Sequence, residues 1–236
     1  MPEFSPPVEL EPLGIEEADL LSRYEQIYTA VVCDTLILDY GISPVLPTNL
    51  TPLIDGMKVC GIAFTVKGMP DCRVPTPEAA AGAHDRRASM MEEMYPNNVV
   101  VWDSSRDEDN AQFGEMMTAV SMTRGSRGAV IDGGIRDTDR IAETGYKVWS
   151  RYRTPASMYL RHEIVDWQVN VKVGEVVIQP GDVVFADMDG IVVIPRRLAV
   201  PVLEKSEESQ KTERGWREII ASGVAPSEFI EKGGML

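Results

Sequence analysis

At two places in this chain, charged side chains stand beside glycines, where a ligand can approach the backbone closely. Ala129-Val130-Ile131-Asp132-Gly133-Gly134-Ile135-Arg136-Asp137 reads as a buried apolar strand that breaks into a glycine turn and leaves a cation and an anion side by side. Asp137 offers a hard oxygen to Mg²⁺ or Mn²⁺, ions that take one or two carboxylates and keep several waters. Arg136 would then lie over substrate oxygens that become negative during a reaction. The second place, Gly114-Glu115-Met116-Met117, opens a helix, and free amides in a first helical turn attract carboxylates. Gly114 would let a ligand reach those amides, with the Glu115 side chain projecting into the same space. Each stretch also has a plain structural reading. Asp137 could cap the short helix starting at Thr138 while Arg136 pairs with a surface acid, and Gly114 could be an N-cap with Met116 and Met117 in the core.

Other chemistry has weaker support. The two histidines, His84 and His162, are not spaced as a ligand pair, which argues against a histidine-rich zinc site. Asp103, Asp107, Glu108 and Asp109 lack the spacing and glycine of a calcium loop and read as a solvated surface loop. Asp187 and Asp189 read as turn residues. No G-x-G-x-x-G, G-x-x-x-x-G-K-[ST] or G-x-S-x-G pattern occurs, so a nucleotide-binding Rossmann unit, a P-loop and an α/β-hydrolase are disfavoured. Trp102, Arg106, Arg140 and Tyr152 are candidates for the far side of a cleft.

The elements that must position these residues follow from periodicity. Prolines 2, 6, 7 and 12 hold residues 1–14 as an extended arm, suited to clasping a neighbouring subunit. Helices are expected over 16–24, 29–40, 77–94 and 138–144, and around Phe113, Met116, Met117 and Val120 up to Gly125. Strands are expected over 58–67, 98–102, 130–132 and 147–150. From Val169 the period becomes two, giving 169–173, 176–178, 183–185 and 191–194, with Asp189-Gly190 as a hairpin turn. A charged helix over 198–222 ends the pattern. The sum is an α/β layered domain with an antiparallel, barrel-like portion near its C-terminal end.

Composition narrows the partners. In 236 residues, 23 basic and 37 acidic side chains leave a formal charge of −14, which disfavours nucleic acid and anionic membrane surfaces. An anionic substrate would need a local cation or a metal, which makes Arg136 conspicuous. Cys33, Cys60 and Cys72 form neither a metal pair nor a disulfide framework, and the first twelve residues do not resemble a secretory signal. A cytoplasmic protein with reduced thiols is the expectation.

Four segments, VVVWDSS followed by FGEMMTAVSMTRGSRGAVIDGGIRDTDRI, then SRYRTP, then VKVGEVVIQPGDVVFADMDGIVVIP, resemble the RraA-like family in content and order, from about Thr29 to Pro195. That family includes regulator of ribonuclease activity A proteins and 4-hydroxy-4-methyl-2-oxoglutarate / 4-carboxy-4-hydroxy-2-oxoadipate aldolases. The resemblance implies an α/β/β/α sandwich similar to the swivelling phosphohistidine domain over 15–197, flanked by the 1–14 arm and a 198–236 helical extension. It also implies a homotrimer or hexamer with clefts between subunits. For aldolase members it implies a divalent metal, Mg²⁺ or Mn²⁺, and cleavage of a 4-hydroxy-2-oxo acid to pyruvate and a second oxo acid, with oxaloacetate decarboxylation as a side activity. On this chain Asp137 would bind the metal, Arg136 the pyruvyl oxygen, and the amides of Glu115, Met116 and Met117, reached past Gly114, the substrate carboxylate. Glu115 would steady a water on the metal, and Glu213 from a neighbouring subunit would complete the site. Where aldolase members carry an acid three residues beyond the aspartate, this chain has Arg140, with Asp139 one place earlier. The alternative is a binding protein that regulates a ribonuclease and has kept the fold without the chemistry.

Overall fold

Early in the chain, α1 (Glu17–Tyr24) and α2 (Thr29–Tyr40) bury Leu20, Leu21, Tyr24, Val31, Val32 and Leu36 in a computed structural model that describes residues 9–71 and 76–231. α2 starts where the Asp187 carboxylate accepts the Thr29 amide at 2.8 Å and its hydroxyl at 2.7 Å. Asp187 is therefore more than a turn residue, because it caps a helix from the far end of the sequence. α2 stops at Gly41, whose φ of 64° suits glycine.

The remaining elements run β1 (Thr51–Pro52), β2 (Val59–Pro70), α3 (Pro77–Glu92), β3 (Asn98–Asp103), β4 (Ala111–Phe113), α4 (Glu115–Thr123), β5 (Gly128–Ile135), α5 (Thr138–Thr144), β6 (Lys147–Arg153) and β7 (His162–Trp167). They continue through β8 (Val171–Val173), β9 (Val176–Ile178), β10 (Val183–Ala186), β11 (Ile191–Ile194), α6 (Ala199–Ala221) and α7 (Pro226–Glu231). Among the described residues, nine strands form one mixed sheet in the order β1-β6-β5-β3-β2-β10-β11, with β4 added to β5 and β7 to β2. β2, β3, β5 and β6 are parallel, whereas β10, β11, β7 and β1 pair antiparallel. The layered α/β expectation holds, and the antiparallel C-terminal portion is continuous with the main sheet through β10 on β2. α1, α2 and α6 pack together over β2 and β11, α3 lies on β7, and α4 lies against α5. No described helix is long and apolar enough to cross a membrane.

Several expectations change. Gly133 and Gly134 are not a turn: β5 runs through both and ends at Ile135. They are glycines because neighbours press on the strand. A Cβ on Gly133 would lie 2.2 Å from Gln112 Oε1, and one on Gly134 would lie 2.4 Å from the Tyr152 ring and 2.7 Å from the Asn110 carbonyl. Phe113 belongs to β4 rather than to the helix, and β7 occupies a stretch with no clear periodic signal.

The acidic loop is also not simply solvated, since Asp103 and Asp107 are buried. Lys67 Nζ lies 2.6 Å from Asp103 Oδ2. His162 Nδ1–H donates to Asp107 Oδ2 at 3.0 Å, while Trp102 Nε1–H points at the other ring nitrogen from 3.4 Å. Burial holds His162 below its ordinary value against the pull of Asp107. Burial pushes Asp107 up, but hydrogen bonds from Asn110 and the Asp109 and Asn110 amides, with His162 nearby, bring it below its ordinary value. The pair is a neutral imidazole on a carboxylate that pins the loop to β7.

Residues 1–8 of the expected arm and Cys72 lie outside the described residues. Of the rest of the arm, Leu10 and Leu13 pack against this chain's own core, and the Glu11 carbonyl accepts Arg196 Nε–H at 2.5 Å. Cys33 and Cys60 are free thiols, as expected.

Candidate active site

The register of two neighbouring parallel strands brings the two glycine-flanked stretches together. β4 pairs with β5 so that Phe113 stands opposite Ile135, and the Arg136 amide donates to the Phe113 carbonyl at 3.0 Å. Gly114 and Arg136-Asp137, the next residues on each side, therefore meet beyond the strands' carboxyl ends, where open α/β sheets bind ligands. The contact is close enough to require glycine: a Cβ on Gly114 would lie 2.8 Å from Asp137 Oδ2 and 3.1 Å from Arg136 Cγ.

Asp137 sits in the left-handed region (φ 56°, ψ 34°), which aspartate tolerates better than most residues. It occupies the N-cap position of α5, yet its side chain makes no cap hydrogen bond. Instead the carboxylate turns toward α4, with Oδ2 accepting the Glu115 amide at 3.3 Å and lying 3.4 Å from Arg136 Nε. The capping reading of Asp137 fails for this reason, and Arg136 faces Asp137 rather than a remote surface acid. The Glu115 amide is accordingly engaged by Asp137, while the first-turn amides of Met116 and Met117 have no carbonyl one turn back to receive them.

The Arg136-Asp137 pair stands between two cavities. The first, about 190 Å³, lies beneath Gly114, Met116 and Met117 and reaches Arg87, Gln112 and Met158. The second, about 600 Å³, takes in Glu115, Asp139, Arg140 and Arg153. Arg136 and Asp137 line both, and each side chain is about two-fifths exposed. Met117 is buried, whereas Met116 is 68% exposed.

Among the described residues, no three His, Cys, Asp or Glu side chains gather into a metal cage. The residues present fit an Mg²⁺-type ion, which accepts one carboxylate and several waters: Asp137 offers oxygens open to both cavities, and Glu115 lines the second.

Of the candidate far-side residues, Arg140 lines the second cavity and pairs with Glu143 at 3.3 Å. Trp102 is buried against His162, Arg106 lies beside the acidic loop, and Tyr152 donates to the Asp107 carbonyl at 3.0 Å. Glu213 lines neither cavity of its own chain. It accepts the Tyr28 hydroxyl and lies 3.4 Å from Arg217 on α6. Arg87 and Gln112 were not singled out from sequence. Arg87 sits in an alanine-rich helical stretch where an arginine reads as solvated, and the only signal for Gln112 was its place two residues before Gly114.

This mixed sheet, with a glycine-led helix and an Arg-Asp pair meeting at its parallel carboxyl ends, defines a class of small α/β proteins whose candidate site lies between neighbouring strands. Residues 29–193 match the RraA-like family, described as Aldolase/RraA, and the chain belongs to it. The chain is 28% identical over 217 residues to a Halalkalibacterium halodurans protein named "Putative 4-hydroxy-4-methyl-2-oxoglutarate aldolase", covering 92% of this chain and 96% of that one. It is 29% identical over 175 residues to Protein DlpA of Legionella pneumophila, spanning 74% of this chain but only 28% of that protein's length.

Two solved structures share the fold. A crystal structure described as one of novel cellulases from microbes associated with the gut ecosystem is 35% identical with a TM-score of 0.80, covering 90% of this chain and 92% of that one. A Streptomyces coelicolor protein, described as an unusual member of the RNase ES inhibitor RraA protein family, is 27% identical with a TM-score of 0.75, covering 89% of this chain and 99% of that one.

Proposed function

We propose that the protein is a divalent-metal-dependent carbon–carbon lyase that splits a 4-hydroxy-2-oxo acid into pyruvate and a second oxo acid. The observation that carries this reading is the convergence of Gly114, Arg136 and Asp137, with the Asp137 carboxylate turned away from its own helix and toward the α4 N-terminus. Removal of the C4 hydroxyl proton lets the C3–C4 bond break, and its electron pair stays on the pyruvyl fragment as an enolate that is later protonated at C3. The Arg136 guanidinium stabilises the charge that gathers on the C2 oxygen. The free amides of Met116 and Met117 hold the C1 carboxylate. Glu115, beside the second cavity, receives the C4 hydroxyl proton, directly or through water. Asp137 would hold Mg²⁺ or Mn²⁺, which would supply Lewis-acid polarisation of the 2-oxo group. Among the described residues neither cavity is lined by a lysine, so the residues give no support to a Schiff-base route. Loss of carbon dioxide from oxaloacetate passes through the same enolate and is the expected side activity.

The test is pyruvate release from 4-hydroxy-2-oxo acids and from oxaloacetate with Mg²⁺ or Mn²⁺. Turnover should exceed that of Asp137→Ala by at least about a hundredfold, the usual size of losing a group that stabilises developing charge. Wild-type turnover no higher than the Asp137→Ala control overturns the reading.

Likeness to the RNase ES inhibitor family supports a second reading, a binding protein that regulates a ribonuclease. Inhibition of a purified endoribonuclease at micromolar concentration, undiminished in Asp137→Ala, would favour it. In either reading we infer a homotrimer or hexamer, with Glu213 of one subunit approaching the Asp137 site of the next.

A further inference from the structure

β4 and β5 do not pair regularly where they lead into the site. Ala111 stands opposite Gly134 and Phe113 opposite Ile135, so two steps on β4 match one on β5, and Gln112 is the extra residue of a bulge. β5 slips against β6 at the same level, since the pairing passes from Ile131 with Ser150 to Gly134 with Tyr152. Ala111 turns its backbone the other way, its amide donating to the Ala156 carbonyl at 2.8 Å and its carbonyl accepting the Met158 amide at 3.1 Å. The Gly134 amide is received by a side chain instead: Gln112 Oε1 accepts it at 2.8 Å. Gln112 is 1% exposed, and the absence of a Cβ on Gly133 lets its amide group lie directly on β5. Just upstream, Ser104 Oγ donates to the Asp132 carbonyl, so two side chains hold the strand where its ladder is irregular.

The other end of the same side chain shows which of its atoms matters. Gln112 Nε2 is buried and has no partner among the described residues, a cost that an apolar side chain of the same length would avoid. Residue 112 gains from being polar through Oε1, and what Oε1 holds is the approach to the site. Arg136 and Asp137 follow directly on Ile135, just past Gly134, as Phe113, Gly114 and Glu115 follow Gln112. The bond from Gln112 to Gly134 is thus the rung before the two that set Asp137 against the α4 N-terminus, namely Arg136 amide to Phe113 carbonyl and Glu115 amide to Asp137 Oδ2.

We propose that Gln112 is a positioning residue for the lyase site: by taking the Gly134 amide across the bulge, it fixes where β5 ends and so where Arg136 and Asp137 stand against Gly114. Bulges beside active sites re-aim side chains in this way. The effect on rate rests on the lyase reading, but the positioning itself is measurable without turnover.

The experiment compares wild type, Gln112→Met and Gln112→Glu by hydrogen exchange at the Gly134 and Arg136 amides and by steady-state kinetics on oxaloacetate with Mg²⁺. Methionine keeps the length and removes the acceptor, whereas glutamate in either protonation state keeps an oxygen for Gly134. Gln112→Met should speed exchange at both amides by at least about tenfold, the size of one lost hydrogen bond. Its kcat should fall by about ten- to a hundredfold with KM little changed, because a misplacement of about 1 Å costs up to about that much. Gln112→Glu should recover most of both. Unchanged exchange in Gln112→Met, faster exchange at Gly134 alone with kcat intact, a raised KM with kcat intact, or a loss that Gln112→Glu does not recover would overturn the proposal. Should Gln112→Met fail to fold, Gln112→Asn keeps the amide one methylene short of Gly134 and gives the same readout. Wild type without turnover removes the lyase reading and leaves exchange at Arg136 to decide the positioning role, whereas turnover insensitive to Gln112→Met does the reverse.

Discussion

Asp132 shows how one buried carboxylate links folding to pH. It lies on β5 just before the two glycines and pairs with Arg151, which also reaches Asn49 at 2.7 Å. Burial pushes its carboxyl up to about 6, against the pull of Arg151. A folded-state value above the unfolded one means that between about pH 4 and 6 the folded protein holds a proton that the unfolded chain has released. This group's contribution to stability is therefore greatest at the acid end and is lost as pH rises through 6. Asp132→Asn should flatten that slope. Relative to wild type, its unfolding free energy should gain about 2 to 3 kcal/mol between pH 4 and pH 6, as two units at ~1.4 kcal/mol each require. Urea melts at the two pH values measure this, and parallel pH dependence in both proteins would rule the assignment out.

Among the elements, the junction of β4 with α4 is the most exacting. Alanine at Gly114 would put a methyl group 2.8 Å from Asp137 Oδ2, and the end of that short side chain is what must yield. Gly114→Ala should therefore lower kcat/KM for oxo-acid cleavage by at least about tenfold while the midpoint of thermal unfolding moves by only a few degrees, since a single strained contact of this kind typically costs about 1–3 kcal/mol. A collapse of the fold with activity per folded molecule intact would contradict that prediction.

The elements also explain what the sequence could reveal. α2, α5 and the β8–β9 and β10–β11 hairpins were legible because their periodicity and glycine stops are local. The strand character of Gly133-Gly134 was hidden, because glycines there answer to Gln112 and Tyr152 pressing from other strands. β7 was missed because its partner is the far end of β2. In the site, Gly114, Arg136 and Asp137 could be picked out as a charge pair and a helix start, and the structure brings all three together. Arg87 and Gln112 gain meaning only from tertiary burial, which no spacing encodes.

For the whole molecule, the question is whether one subunit suffices. Glu213 lines neither cavity of its own chain, while α4 leaves Met116, Val120 and Met122 exposed beside the site. An apolar face next to the candidate site is what a neighbouring copy would cover. Light scattering should thus give a mass of three or six times 26.1 kDa. If Glu213 acts across that boundary, mixing inactive Asp137→Ala with inactive Glu213→Gln should restore part of the activity, because some boundaries then pair two intact halves. A mixture as inactive as its components would place Glu213 outside the site.

Gly114 and Asp137 are separated by a single crossover, β4 through α4 to β5, although the sheet that holds them draws strands from most of the described chain. Inheritance can therefore act on the two parts at different rates. Outlying helices, termini and edge strands can diverge or be replaced while residues 111–137 pass down intact, so a distant descendant could keep the junction of Gly114 with Asp137 after most of its surface has changed. Conversely, a few substitutions within that window would be enough to turn an enzyme into a binding protein of the same shape.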